Sequence, residues 1–329
     1  MINGKTYRSP LFYVGDKYKL LPEIKKYFPA KINRFIEPFT GGGSVFLNIK
    51  ANEYLLNDID ANVVAIHQFL MQQAQNPDIF FKEIQQRIEK YGFSHSYLKD
   101  IVPQELKNQY KKTYYAKFNK QAFQKLKEHY NNSTEKDIFD LYLLLIYGFN
   151  RMLRFNSKGL YNLPVGNVDF NKNVVNALYN YFHFVKNKNI VFYNLDFTEF
   201  LSEIDFQKDD FVYFDPPYLI TFSEYNKLWN ERKEYELLEI LDELNNKNIN
   251  FAISNVTHYK GKVNKLFLNW SKKYFIQNVK SNYISYHDNS IKTFNEVLVT
   301  NYQSKTITQT NMFETKTINF VAKEITGKL

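Results

Sequence analysis

The chain has 329 residues, a formal net charge of +9, 44% hydrophobic and 18% aromatic residues, and no cysteine. That length accommodates one large domain or two of medium size, and the hydrophobic share excludes a disordered chain. The absence of cysteine excludes disulfides, thiolate metal sites and cysteine nucleophiles, while the positive balance favours a polyanion such as nucleic acid without establishing one. The 26 Tyr and 30 Phe accompany abundant Asn, Lys and Ile, as AT-rich coding produces. The aromatic count is therefore weak evidence for base stacking.

The opening "MINGKTYRSP" has no apolar signal core. The longest apolar run, "LYLLLIYGF" from Leu141 to Phe149, is too short to span a bilayer. The expectation is a soluble intracellular protein with no membrane contact. Short apolar segments then read as buried strands: "RFIEP" (34–38), "YLLND" (54–58), "NIVFYNLD" (189–196), "DFVYFD" (210–215), "INFAIS" (249–254), "YFIQNV" (274–279) and "NEVLVTNY" (295–302). Helical stretches lie between them. "GSVFLNIKA" (43–51) follows the first strand, and "EYELLEILDELNNKN" (234–248) has a clear apolar face at helical spacing. Strands alternating with helices predict a doubly wound α/β domain.

Residues 69–184 break that rhythm and read as mostly helical, as in "PDIFFKEIQQRIEKYGF" and "EKDIFDLYLLLIYGFN". A plain α/β unit needs far fewer residues between two strands. The expected organisation is a discontinuous catalytic domain, 1–68 plus 185–302, with a second helical domain inserted at 69–184. Within the insert, residues 108–130 carry six lysines and one acid interleaved with aromatics, either a nucleic-acid-facing surface or a solvated helix. "NRMLRFNSKGLYNLPVG" (150–166) has two short apolar runs around "NSKG", a hairpin signal. The tail from 303 to 329 has no assignable pattern.

Four places can carry chemistry. In "FIEPFTGGGSVF" (35–46) a strand ends at Glu37-Pro38, and Gly41, Gly42 and Gly43 allow a ligand close to the backbone. The third glycine of a dinucleotide fingerprint is replaced by Phe46, and there is no Walker lysine, so the loop favours a ligand without a pyrophosphate. The alternative is a tight turn. Asp58, 17 residues beyond Gly41, ends the next strand, where a doubly wound fold hydrogen-bonds a ribose; a helix N-cap is the competing role. Asp196 and Phe197 in "NLDF" offer a carboxylate for an exocyclic amine and a ring for adenine, or again a cap. Last, Asp215-Pro216-Pro217-Tyr218 joins a rigidly held carboxylate, a carbonyl acceptor and a stacking ring. That set suits an exocyclic amine nucleophile and not hydrolysis. None of the six histidines shows the paired spacing of a zinc site, so no metal is expected.

These motifs, in this order, resemble DNA adenine-N6 methyltransferases of the Dam type (class alpha), over roughly residues 9–302. "SPLFYVGDKYKLLPEI" (9–24) resembles the family's N-terminal K-W-x-G-x-K motif, "FIEPFTGGGSVF" its cofactor loop, and "LLNDID" its ribose-binding acid. "NRMLRFNSKGLYNLPVG" resembles its recognition hairpin and "DFVYFDPPY" its catalytic motif. The resemblance implies a Rossmann-like, mostly parallel sheet of seven strands with the last antiparallel, and an inserted helical target-recognition domain. It implies S-adenosylmethionine as methyl donor, double-stranded DNA as partner, and a flipped target adenine whose N6 amine is held by Asp215 and the Pro216 carbonyl, with Tyr218 stacked on the base. Pro217 completes the catalytic motif, and Tyr13, Lys17, Glu37, Pro38, Phe39, Gly41, Gly42, Gly43, Asp58, Asp196, Phe197 and Asp215 are the implied cofactor contacts. Arg151, Arg154, Asn156 and Lys158 are the candidate DNA contacts. One departure stands out: where the family has Lys-Trp, this chain has Phe12-Tyr13.

A methyltransferase acting on RNA or on protein glutamine is the rival enzyme, although such enzymes typically carry Asn where this chain has Asp215. A catalytically inactive DNA-binding relative is the other rival. The expected setting is a monomer in the prokaryotic or phage-infected cytoplasm, either an orphan methylase or the partner of a separately acting restriction endonuclease. The segment 285–298 is open to either setting.

Overall fold

The computed structural model describes residues 6–221, 228–279 and 294–304. Most of the segment 285–298 and nearly all of the tail 303–329 lie outside them. The chain forms two compact units, Met1–Tyr18 with Phe39–Phe200, and Lys19–Pro38 with Leu201–Leu329.

In the second unit a short helix α1 (Leu21–Ile24) precedes strand β1 (Arg34–Glu37). In the first, β2 (Glu53–Asn57) runs parallel to β3 (Asn189–Tyr193), with Glu53 opposite Asn189 and Asn57 opposite Tyr193. Between them come α2 (Ala61–Gln73), α3 (Pro77–Tyr91), α4 (Gln104–Gln109), α5 (Tyr114–Asn132), α6 (Ile138–Tyr147) and α7 (Lys172–Val185), and no strand among the described residues. The apolar run of the sequence becomes α6, whose residues 140–147 are all buried, so a hydrophobic-all-round helix forms the core of the bundle. Against it α3 turns Phe80, Ile84 and Ile88 inward at four-residue spacing and ends on Gly92, whose φ of 84° only glycine adopts without strain. A buried carboxylate needs partners, and Asp140 has them: Arg87 donates at 2.7 Å and His129 stands 3.0 Å away. On α5, Ala122, Phe123, Leu126 and Tyr130 are buried while Lys117, Lys120 and Lys125 are exposed. The lysine-rich stretch is thus a solvent-facing basic stripe.

The second unit continues with β4 (Asp210–Phe214), reached through α8 (Phe197–Ser202), which straddles the two units. Then come α9 (Glu231–Asn246), β5 (Asn250–Tyr259), β6 (Lys262–Val263), α10 (Lys265–Ser271), β7 (Phe275–Val279) and β8 (Phe294–Thr300). β1 pairs parallel with β4, and β4 with β5. β8 is antiparallel to both β5 and β7. The expected α/β class, mostly parallel with a reversed last strand, is the one observed. All seven expected strands are present. Arg34 fixes the register of the first pair, since its guanidinium grips Asp210 through two bonds of 2.8 and 2.6 Å.

The helix expected over 43–51 is absent; one 3₁₀ turn, Phe46–Asn48, replaces it. The cause is Tyr54. Its hydroxyl donates to the Ile49 carbonyl at 2.8 Å and accepts from the Ala51 amide at 3.0 Å, taking two groups that a continuing helix would need. The Asn48 side chain spans Ser44 and Tyr7 and further closes the turn.

Candidate active site

β1 ends at Glu37, which is buried with Pro38 next in the chain. The loop that follows is shaped by its glycines at two positions. Gly41 has φ +50°, and Gly43 has φ +76° with no room for a side chain: a Cβ there would lie 2.3 Å from the Phe46 ring and 2.8 Å from His67. Gly42 is closed off by Tyr13, whose Cβ would be 2.8 Å from an added methyl. Tyr13 is buried against the loop, and Lys17 is buried at 4% exposure.

Asp58 ends β2 and does not cap a helix; that role falls to Asp60, which accepts from the Asn62 amide at the start of α2. Asp58 accepts instead from the Gly41 amide at 2.7 Å and the Asp60 amide at 2.9 Å. Burial pushes its carboxyl up to about 6, against those two backbone donors that favour the charged form. His67 holds the other side of the loop. Its Nε2 lies 2.9 Å from the Gly41 carbonyl and its Nδ1 3.1 Å from the Tyr181 hydroxyl. A carbonyl only accepts, so Nε2 carries the proton and Nδ1 accepts from Tyr181. Burial drives this imidazole down to about 4, so it is neutral at physiological pH.

Asp196 does cap a helix: its carboxylate accepts from the Thr198 amide at 3.0 Å and hydroxyl at 2.7 Å at the start of α8. Phe197 packs on Phe39, ring centroids 5.3 Å apart. The ends of β2 and β3 are tied to each other. Asn57 accepts from the Leu195 amide at 3.0 Å and donates to its carbonyl at 3.1 Å, while Asn194 donates to the Asp58 and Ile59 carbonyls. The first unit thus gathers Tyr13, the three glycines, Asp58, Phe39 and Phe197 around one loop. A side-chain-free glycine turn, a carboxylate with lone pairs to spare and a paired aromatic surface fit the adenosine end of a nucleoside cofactor.

In the second unit β4 delivers Asp215. The chain leaves the ladder at Pro216 and Pro217, which have no N–H to give it. The Tyr218 hydroxyl lies 3.0 Å from Asp215 Oδ1 and 3.0 Å from Glu296 Oε1. Glu296, in β8, is 2% exposed. One hydroxyl proton is thus placed between two carboxylates, and the Tyr218 ring is fixed at its far end. The strand below is anchored by Tyr213, whose hydroxyl is 2.8 Å from Ser254 Oγ.

The sequence profile of the D12 class N6 adenine-specific DNA methyltransferases matches residues 13–285. The chain belongs to that family. It is 34% identical to the modification methylase StsI of Streptococcus sanguinis, over 95% of this chain and 45% of that protein. It is 37% identical to the type II methyltransferase M.FokI of Planomicrobium okeanokoites, over 91% of this chain and 43% of that one. The chain therefore spans less than half the length of these two relatives. A DNA adenine methylase of Haemophilus influenzae is 32% identical over 64% of each chain.

In this D12 class member the expected hairpin is present. Phe155 bridges antiparallel to Tyr161, and Gly159 turns the chain at φ +71°. Asn156 uses its carbonyl oxygen on the turn itself, accepting from the Lys158 and Leu160 amides. Arg154 donates Nε to Asn162 across the hairpin at 2.9 Å, and Lys158 is exposed. Arg151 is set apart: its guanidinium stacks 4.1 Å from the Phe12 ring centroid. Among the described residues, no helix of this D12 class chain is long and apolar enough to cross a membrane, and no cluster of His, Asp and Glu could hold a metal.

Sequence reasoning missed His67, Asn57 and Glu296. A lone histidine in a helix carries no motif, Asn57 reads as strand filler, and Glu296 sits 78 residues from Tyr218.

Proposed function

We propose that this D12 class chain transfers the methyl group of S-adenosylmethionine to N6 of an adenine in duplex DNA. The observation that carries the reading is the Asp215–Tyr218 corner, a carboxylate and an aromatic ring fixed at the end of a parallel strand. S-adenosylmethionine supplies a methyl carbon made electrophilic by its sulfonium. The Asp58 carboxylate accepts the ribose hydroxyls, Phe39 and Phe197 offer the adenine face, and Asp196 lies beside them in the chain. Tyr13 packs against the glycine loop and backs the nucleoside end, and buried Lys17 serves the carboxylate end. Glu37 and Pro38 lead into that loop.

Asp215 and the Pro216 carbonyl accept the two N–H groups of the target amine, and this turns the nitrogen lone pair out of conjugation. With the donor's methyl group held opposite, Asp215 and the Pro216 carbonyl would aim the N6 lone pair at it, and the proton that N6 releases would leave along its hydrogen bond to Asp215. Tyr218 stacks on the extruded base, its ring held by the hydroxyl contacts to Asp215 and Glu296.

Residues 69–184 are assigned to target recognition, with Arg154, Asn156 and Lys158 of the hairpin toward DNA and the exposed lysines of α5 adding sequence-independent attraction. Residues 1–68 with 185–302 are assigned to catalysis. The setting is the bacterial cytoplasm, as a monomer, with any restriction endonuclease acting separately. Asp215→Ala should lower methyl incorporation into DNA by at least about 10³-fold while cofactor affinity falls far less. Full retained activity would overturn the assignment. Methylome sequencing of a host expressing the chain tests the base identity and reports the target sequence.

A further inference from the structure

Position 12, where the family's lysine is replaced, has a charge arrangement of its own. Arg8 places its guanidinium carbon 4.7 Å from the Phe12 ring centroid, and Arg151 places its own 4.1 Å from the same centroid. Two like charges therefore sit within about 9 Å of each other, near enough to repel. The acid nearest Arg8 is Asp16, whose Oδ2 is 3.9 Å from Arg8 Nε, a loose contact. Tyr18 lies under Arg8 at 5.4 Å. Arg151 has no acidic partner among the described residues, and its Nε is buried with no acceptor. Burial, and then repulsion from Arg8, push the Arg151 guanidinium down to about 10. Tyr142, the one group whose charge would favour it, spends its hydroxyl on the Pro10 carbonyl.

The backbone is strained where these segments meet: Phe12, Asn150 and Arg151 all have φ near +50° without being glycine. A fold that only needed to fill this space would use an apolar residue. A buried donor without an acceptor, and a second cation held beside it on the same ring, are what an oxyanion completes.

We propose that Arg8 and Arg151, converging on Phe12, form a binding site for the phosphodiester backbone of the DNA. The proposal rests on the methyltransferase reading and deepens it. It assigns Arg151 to phosphate and not to a base edge, and it brings in Arg8. Phe12 is the platform that holds both guanidiniums in place of one lysine.

The test uses the full chain with a fluorescent duplex of random sequence, over a series of salt concentrations. Arg8→Gln and Arg151→Gln should each reduce the slope of log K against log salt by about one and weaken binding several-fold at fixed salt. S-adenosylmethionine affinity, from equilibrium dialysis, should not change. Arg151→Met should melt no lower than the parent, because an unpaired charge leaves the interior. An unchanged slope with a lower melting temperature would make the pair a structural stack and overturn the proposal. An unchanged slope with weakened cofactor binding would give the site to the donor's carboxylate and overturn it as well. If the parent chain methylates DNA and the variants keep its slope, only this site fails. If the parent neither binds duplex nor methylates it, the methyltransferase reading falls and takes the site with it.

Discussion

The glycine loop and the Asp215 corner solve opposite problems. In the loop the backbone is the working surface, so side chains are spent on holding it: Asp58 takes the Gly41 amide and His67 takes the Gly41 carbonyl. At the corner the side chains are the working surface, so the backbone is stiffened by two prolines and the Tyr218 hydroxyl is fixed by Glu296. A loop of this kind breaks when volume is added; a corner of this kind breaks when a single atom is removed.

The largest effect after loss of Asp215 is expected from Gly43→Ala. Alanine at φ +76° is strained, and its methyl would overlap the Phe46 ring. A loss of about 3 kcal/mol is expected, read from denaturant midpoints, together with weakened cofactor binding. A change under about 0.5 kcal/mol would mean that the loop has slack the structure does not show.

Next comes Tyr218→Phe, which keeps the ring and deletes the proton shared by the two carboxylates. Methyl transfer should fall about tenfold in kcat with little change in KM for DNA, whereas Tyr218→Ala should raise KM too. Equal effects of the two variants would show that the hydroxyl, not the ring, carries the whole contribution.

The smallest effect separates the two members of the loop pair by pH. His67 titrates near 4 in the folded chain and near ~6.5 unfolded. Between those values the unfolded chain binds the extra proton, so stability falls as pH drops. Asp58 titrates near 6 folded and near ~3.9 unfolded. There the folded chain holds the extra proton, so stability rises as pH drops. The two slopes oppose each other, the second being the smaller because Asp58 is only half-buried. Asp58→Asn should therefore make urea stability fall more steeply from about pH 6 to 4 than in the parent. Parallel curves would mean that Asp58 is not shifted. Cofactor affinity of the parent should rise through the same range as Asp58 ionises.

The strands were legible because buried parallel strands read as unbroken apolar runs, and the hairpin because Gly159 punctuates it. Asp215 was legible because prolines after a strand admit few explanations. The short turn at Phe46–Asn48 was not, since the hydroxyl that stops the helix belongs to Tyr54, a residue that reads as strand. Glu296 and His67 were hidden for a related reason: each gains its meaning from a partner tens of residues away. Arg151 was found as a cation, but the company it keeps with Arg8 and Phe12 is a fact of folding alone.

The reciprocal bonds between Asn57 and Leu195 have a mechanical consequence. They clamp the tips of two strands 138 residues apart in sequence, one leading directly to Asp58 and the other to Asp196. A ligand that settles on Asp58 alone must then quieten the neighbouring tip as well. In hydrogen–deuterium exchange, the Leu195 amide should slow together with the Gly41 and Asp60 amides when cofactor is added, as one cooperative patch and not as two.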